Sequence, residues 1–120
     1  MIIRLISFTD RGARLANRLA EGLSGTAMRC GQPLSLDDWT KEGFSAADAL
    51  IFVGAAGIAV RAIAPYVRSK LHDPAVVVVD ETGAFAVSLL SGHLGGANDI
   101  TRRVARLCGA VPVITTATDC

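Results

Sequence analysis

Hydrophobic residues occur along this chain in two patterns, short continuous runs and runs at helical spacing. Six short apolar runs predict β-strands at positions 1–8, 26–30, 49–53, 75–79, 84–90 and 111–114. Helical spacing predicts helices from Thr9 or Asp10 to Gly25, at 58–64 and at 97–108, with a short helical piece at 66–71 after Pro65. The stretch 34–44 is ambiguous, although Ser35 is suited to open a short helix there. This alternation predicts a three-layer α/β fold, with helices on both faces of a mostly parallel sheet of about five to six strands.

One β-hairpin complicates the predicted sheet. Residues 80–83 have the composition of a tight turn, so the strands at 75–79 and 84–90 pair antiparallel. We expect 84–90 to be the parallel member, because the helix at 97–108 then returns the chain to the edge where 111–114 must start. On that assumption the loops Gly54–Gly57 and Ser91–Asn98 emerge at one carboxyl edge, where open α/β sheets bind ligands.

Composition narrows the functional class. The chain has 120 residues and a net charge of +1, which argues against a general nucleic-acid-binding surface. Its longest apolar run, 49–60, is too short to cross a bilayer, and no signal-peptide pattern is visible. The cysteines Cys30, Cys108 and Cys120 have neither zinc spacing nor a disulfide framework, so we expect a cytoplasmic chain that binds no metal of its own.

The two glycine-rich loops are candidate sites for an anion. Each follows a strand and opens a helix, where unpaired N–H groups point outward. The predicted binding residues are Gly54, Gly57, Arg61, Ser91, Gly92, Gly95, Gly96 and Asn98. A tight turn without a ligand is the alternative for the glycines, and solvation or pairing with Asp48 or Glu81 is the alternative for Arg61. The spacing matches neither a dinucleotide fingerprint nor a Walker A loop.

Three residues are candidates for proton transfer. His93 lies inside the second glycine-rich loop, and its ordinary pKa suits a general base or acid at neutral pH. Asp80 and Glu81 are an acidic pair in the hairpin turn and are candidates for a catalytic role. The alternatives are a loop histidine bonded to backbone and acidic residues that only stabilise the turn.

Four stretches in order, Val53–Pro65, Val79–Gly83, Ser91–Asn98 and Pro112–Asp119, resemble the N-terminal part of the cobalamin biosynthesis protein CbiG, the cobalt-precorrin-5A hydrolase. The resemblance covers nearly the whole chain. It implies a role in the anaerobic route to the corrin ring, where the δ-lactone of cobalt-precorrin-5A is opened and acetaldehyde is released, giving cobalt-precorrin-5B. It also implies that cobalt arrives with the substrate, so that no separate cofactor is needed.

Family members are longer, so the resemblance implies that residues 1–120 form one α/β domain whose partner is the C-terminal domain of the family. Within this frame His93 is the expected base, and the N–H groups of Gly95 and Gly96 are the expected oxyanion donors. Asp80 or Glu81 is expected to orient the His93 imidazole or to handle the proton in the later carbon–carbon cleavage. A different hypothesis is a non-catalytic domain that binds the tetrapyrrole or forms a homodimer. A nucleotide- or phosphate-binding module is a weaker third.

Overall fold

A computed structural model describes residues 1–92 and 96–116. The strands are β1 (Ile3–Ser7), β2 (Thr26–Arg29), β3 (Ala49–Val53), β4 (Ala75–Val79), β5 (Phe85–Leu90) and β6 (Val111–Val113). The helices are α1 (Asp10–Leu23), α2 (Leu36–Ala46), α3 (Ala56–Ile63) and α4 (Ala97–Cys108). Among these residues, no helix combines the length and apolar character needed to span a membrane.

The strands form one six-stranded sheet in the order β2-β1-β3-β4-β5-β6. Its central strands β3 and β4 are buried at every position, as the continuous apolar runs predict. Helices α1 and α4 cover one face, through Leu19 and Val104 among others, and α2 and α3 cover the other, where Trp39 packs edge-on against Phe52. The predicted three-layer α/β fold with one hairpin is confirmed.

The direction of the hairpin strands is opposite to the prediction. Strand β4 runs parallel to β3, whereas β5 runs antiparallel to β4 and parallel to β6. The reason lies in the crossover β3–α3–β4, which is long enough to bring the chain back to a parallel start. The tight turn then forces β5 to reverse, and α4 makes a further parallel crossover, from β5 to β6.

Two local predictions also fail. The residue in the left-handed conformation after α1 is Ser24 (φ 54°), and Gly25 follows it. Residues 66–71 form turns and irregular backbone in place of the predicted helical piece. There the buried Asp73 carboxylate accepts the backbone N–H groups of Arg68 and Ser69 at 2.9 and 3.1 Å, which removes donors that a helix would use.

Candidate functional site

The reversed hairpin distributes the predicted site residues over two edges of the sheet. We call the edge where β1, β3 and β4 end the carboxyl edge, and the edge where they begin the amino edge. Gly54–Gly57 and Asp80–Glu81 follow β3 and β4 at the carboxyl edge, whereas Ser91 and Gly92 follow β5 at the amino edge. A strand of six residues such as β5 spans roughly 17–20 Å. The prediction of one site that combines both glycine-rich loops is therefore wrong.

The carboxyl edge holds a cleft of about 360 Å³. It opens where strand order reverses between β1 and β3, the position where open α/β sheets bind ligands. The loops after β1, β3 and β4 line it, including Thr9, Gly54, Ala55 and Glu81. The Thr9 hydroxyl donates to Glu81 Oε2 and accepts the Gly12 N–H at 3.0 Å, so Thr9 joins the hairpin turn to the start of α1.

Helix α3 begins at this cleft without a side-chain cap, because its N-cap residue is Ala55. By contrast, Thr9 and Ser35 cap α1 and α2 with their hydroxyls. Arg61 folds back over the same turn, since a β carbon on Gly57 would lie 3.3 Å from Arg61 Nη1. An uncapped helix start beside a guanidinium suits a carboxylate or phosphate group.

The Asp80 carboxylate stabilises the hairpin turn between β4 and β5. Its carboxylate accepts the Phe85 N–H at 2.7 Å and hydrogen bonds from the hydroxyl and N–H of Thr82. Partial burial raises the pKa of the Asp80 carboxyl, but these hydrogen bonds together hold that pKa below its usual value. Asp80 is thus a carboxylate at neutral pH, and its acceptor capacity is largely used within the turn.

At the amino edge, Asn98 organises the junction between β5, α4 and the segment after β6. Its side chain is 7% exposed. Its Oδ1 accepts the Ser88 hydroxyl at 2.7 Å, and its Nδ2 donates to the Thr116 hydroxyl at 2.8 Å. Sequence reasoning placed Asn98 in substrate binding and missed Ser88 and Thr116, because hydroxyls in strands and strand ends carry no pattern of their own.

The loop before α4 is held by close backbone contacts. A β carbon on Gly92 would lie 2.8 Å from both Asn98 Oδ1 and Thr116 Cγ2, so internal packing already requires glycine there. Ser91 adopts a left-handed conformation (φ 59°), and its hydroxyl donates to the Asp73 backbone carbonyl at 3.4 Å. Gly96 is the left-handed N-cap of α4 (φ 84°), and it gives that helix no side-chain cap. His93 and Gly95 lie outside the described residues.

Asp80 and Glu81 are thus separated from Ser91 and Gly92 by the length of β5. Since His93 follows Gly92 directly, the hypothesis that either carboxylate orients its imidazole loses its geometric basis. Arg61 forms no ion pair in residues 1–92 and 96–116, so the alternative in which it pairs with Asp48 or Glu81 is not found there. The same part of the chain shows no cluster of metal-ligating side chains.

Comparison with known proteins identifies the family. Residues 38–119 match the family described as cobalamin synthesis G N-terminal. The chain belongs to this family. It is 48% identical, over 98% of its length, to the cobalt-precorrin-5A hydrolase of Salmonella typhimurium. It is 51% identical, over 63% of its length, to the enzyme of the same name from Priestia megaterium.

A solved relative carries the same fold. The crystal structure of a cobalamin biosynthesis protein G homologue from Sulfolobus solfataricus matches 94% of the chain with a TM-score of 0.80 and 30% identity. The chain spans 36% of that protein and 36% of the S. typhimurium relative, and 20% of the P. megaterium relative is covered by the match. These relatives are therefore longer than this chain, and the S. solfataricus protein contains the fold within a longer chain.

Proposed function

We propose that this chain acts in anaerobic cobalamin biosynthesis, in the hydrolysis of the δ-lactone of cobalt-precorrin-5A with release of acetaldehyde to give cobalt-precorrin-5B. The observation that carries the proposal is 48% identity over nearly the whole chain to a protein named cobalt-precorrin-5A hydrolase. Cobalt arrives as part of the substrate. The partner is the remainder of the longer protein that the relatives represent, and the compartment is the cytoplasm, which suits widely spaced cysteines.

The amino edge is the proposed site of lactone opening. Water attacks the lactone carbonyl while His93 takes its proton, and N–H groups of the loop before α4 stabilise the oxyanion. Collapse of the tetrahedral intermediate then breaks the C–O bond of the lactone ring, and His93 returns the proton to the departing alkoxide. The N–H groups of Ala97 and Asn98 are already bound to the carbonyls of Ser91 and Gly92 at 3.1 Å. The proposed oxyanion donors are accordingly the N–H groups of Gly95 and Gly96. In this proposal Asp80 and Glu81 do not act on His93.

The carboxyl edge is the proposed second anion site. Cobalt-precorrin-5A is a polycarboxylate macrocycle, and the uncapped start of α3 at Gly54–Gly57 with Arg61 suits one of its carboxylates. Glu81, joined to Thr9 in the same cleft, lies beyond the opposite end of β5 from the lactone-opening loop. Because the carbon–carbon cleavage takes place at the atoms of the opened lactone, Glu81 can take its proton only after the substrate has moved from the amino edge to the carboxyl edge.

The test is acetaldehyde release from cobalt-precorrin-5A under anaerobic conditions. The 120-residue chain is compared with a full-length relative, and His93→Gln is introduced into both. We expect the full-length protein to release acetaldehyde and the variant to lose most of that activity, about a hundredfold or more for a general base. Near-wild-type rates for His93→Gln would remove His93 from the mechanism. Substrate binding by the 120-residue chain without acetaldehyde release would assign it to recognition, with catalysis in the remaining segment.

A further inference from the structure

A second cleft lies at the amino edge, on the face of the sheet covered by α2 and α3. It has a volume of about 230 Å³, equal to roughly eight waters. We call it the basic cleft, and its polar lining comes from Lys41, Ser45, Tyr66, Arg68, His72 and Asp73. None of these residues was singled out by the motifs of the sequence.

The loop that forms one wall is built around a buried carboxylate. Asp73 is 8% exposed and accepts the backbone N–H groups of Arg68 and Ser69. The N–H groups of His72 and Asp73 in turn donate to the Ser69 carbonyl at 3.0 and 2.8 Å. These bonds fix the backbone of 68–73, so the side chains of Arg68 and His72 start from defined positions while remaining exposed.

The opposite wall is one face of α2. Lys41 and Ser45 are one turn apart and therefore share that face. The Phe44 ring lies 6.0 Å from the Tyr66 ring, between centroids, and joins α2 to the loop. The Tyr66 hydroxyl donates its hydrogen to Asp37 at 2.5 Å, so it carries no negative charge that would repel an anionic ligand in the cleft.

The charges of the basic cleft are unbalanced. Lys41 and Arg68 are cations, and His72 is a further nitrogen donor. The two ion pairs present in residues 1–92 and 96–116, Arg29–Asp10 and Arg102–Asp99, involve none of these groups. The carboxylate of the cleft, on Asp73, is engaged by backbone N–H groups. The side chains of the cleft that are left to bind a ligand are therefore positively charged, and they favour an anion.

The basic cleft also adjoins the loop assigned to lactone opening. Ser91, which begins that loop, donates its hydroxyl to the Asp73 backbone carbonyl. A ligand anchored by Lys41 and Arg68 would thus lie beside the start of the loop. The size of the cleft suits one or two short carboxylate side chains and excludes a whole macrocycle.

We infer that the basic cleft binds carboxylate side chains of the tetrapyrrole substrate through Lys41, Arg68 and His72, and so orients the macrocycle at the amino edge. This inference rests on the proposed function, because it takes the substrate to be a polycarboxylate tetrapyrrole. It adds a specificity site in residues that the family motifs do not include.

The test measures binding of uroporphyrin, a stable polycarboxylate porphyrin, to the 120-residue chain by fluorescence anisotropy at constant ionic strength. Lys41→Gln and Arg68→Gln are compared with wild type, with the double variant and with Arg18→Gln. Arg18 is the matched control, because it is an exposed cation on α1, on the other face of the sheet. The Arg68 substitution preserves the backbone N–H that Asp73 accepts, so the loop is retained.

We expect each cleft variant to weaken binding about fivefold, the double variant to weaken it further, and Arg18→Gln to leave it unchanged. Absence of porphyrin binding by the wild type, wild-type affinity in the double variant, or an equal loss in Arg18→Gln would overturn the inference. The readout is independent of acetaldehyde release. Loss of specific binding in an active enzyme would reject the cleft alone, whereas specific porphyrin binding by the 120-residue chain together with an inactive full-length protein would reject the proposed reaction alone.

Discussion

Replacement of Asn98 by alanine tests the junction at the amino edge. The substitution removes two side-chain hydrogen bonds, to the hydroxyls of Ser88 and Thr116, from a position that is 7% exposed. Each such bond contributes about 0.5–1.5 kcal/mol net, and alanine returns up to about 0.5 kcal/mol through its higher helix propensity. We therefore expect the free energy of unfolding to fall by about 2 kcal/mol.

Urea unfolding monitored by circular dichroism measures that change directly. For a chain of this length, about 2 kcal/mol corresponds to a decrease in Tm of roughly 8 °C. Asn17→Ala is the control, because Asn17 is exposed in the middle of α1 and the same change should leave stability equal or about 0.5 kcal/mol higher. A loss below about 0.5 kcal/mol for Asn98→Ala would refute the view that the amide supports this junction, and would return Asn98 to the substrate-binding candidates.

Three further predictions concern the rest of the fold. Ser24→Gly should raise the free energy of unfolding by up to about 1 kcal/mol in a urea titration, because Ser24 is left-handed (φ 54°) and glycine removes that strain; an unchanged midpoint would count against it. Gly43→Ala would place a β carbon 2.5 Å from Leu50 Cδ2 in the core, at a cost of about 1–3 kcal/mol, and would gain up to about 1 kcal/mol of helix propensity in α2, so we expect a net loss of up to about 2 kcal/mol. Gly57→Ala meets only Arg61 Nη1 and should stabilise α3 slightly. Equal Tm shifts for the two variants would contradict this packing. The lowered pKa of Asp80 contributes stability above its unfolded value near 4, which is lost as pH falls through the lower folded value. The stability difference between wild type and Asp80→Asn should therefore shrink from about pH 6 to about pH 2, and a constant difference would show that the ionised carboxylate is not responsible.

The sequence predicts the layers of the fold because a helix or strand with a buried face needs apolar residues at its own spacing along the chain. The run Ala49–Val53 has no polar residue, which is typical of a strand that is buried on both faces. Leu15, Leu19 and Leu23 mark one face of α1 in the same direct way. Hydrophobic patterns of this kind report how much of a segment is buried and on which side.

Hydrophobic patterns do not indicate the direction of a strand, because an apolar run or an alternating pattern is the same from either end. We predicted the hairpin direction from the edge where β6 must start and left out the crossover from β3 to β4. That crossover is the stronger constraint, because it makes β4 parallel to β3. The predicted single site was wrong for the same reason, because the edge at which each strand ends decides which loops lie together. The basic cleft was missed for a related reason: Lys41 and Arg68 are 27 positions apart and meet only through the Asp73 turn.

The reversed hairpin also gives a way to measure how the substrate lies on the protein. Glu81 and Arg68 sit beyond opposite ends of β4, which alone separates them by roughly 13 Å, so Glu81→Gln and Arg68→Gln should have additive effects on folding. In a double-mutant cycle on substrate affinity, a ligand confined to one edge leaves the coupling free energy near zero. A coupling well above the additivity error would mean that the bound macrocycle itself connects the two edges.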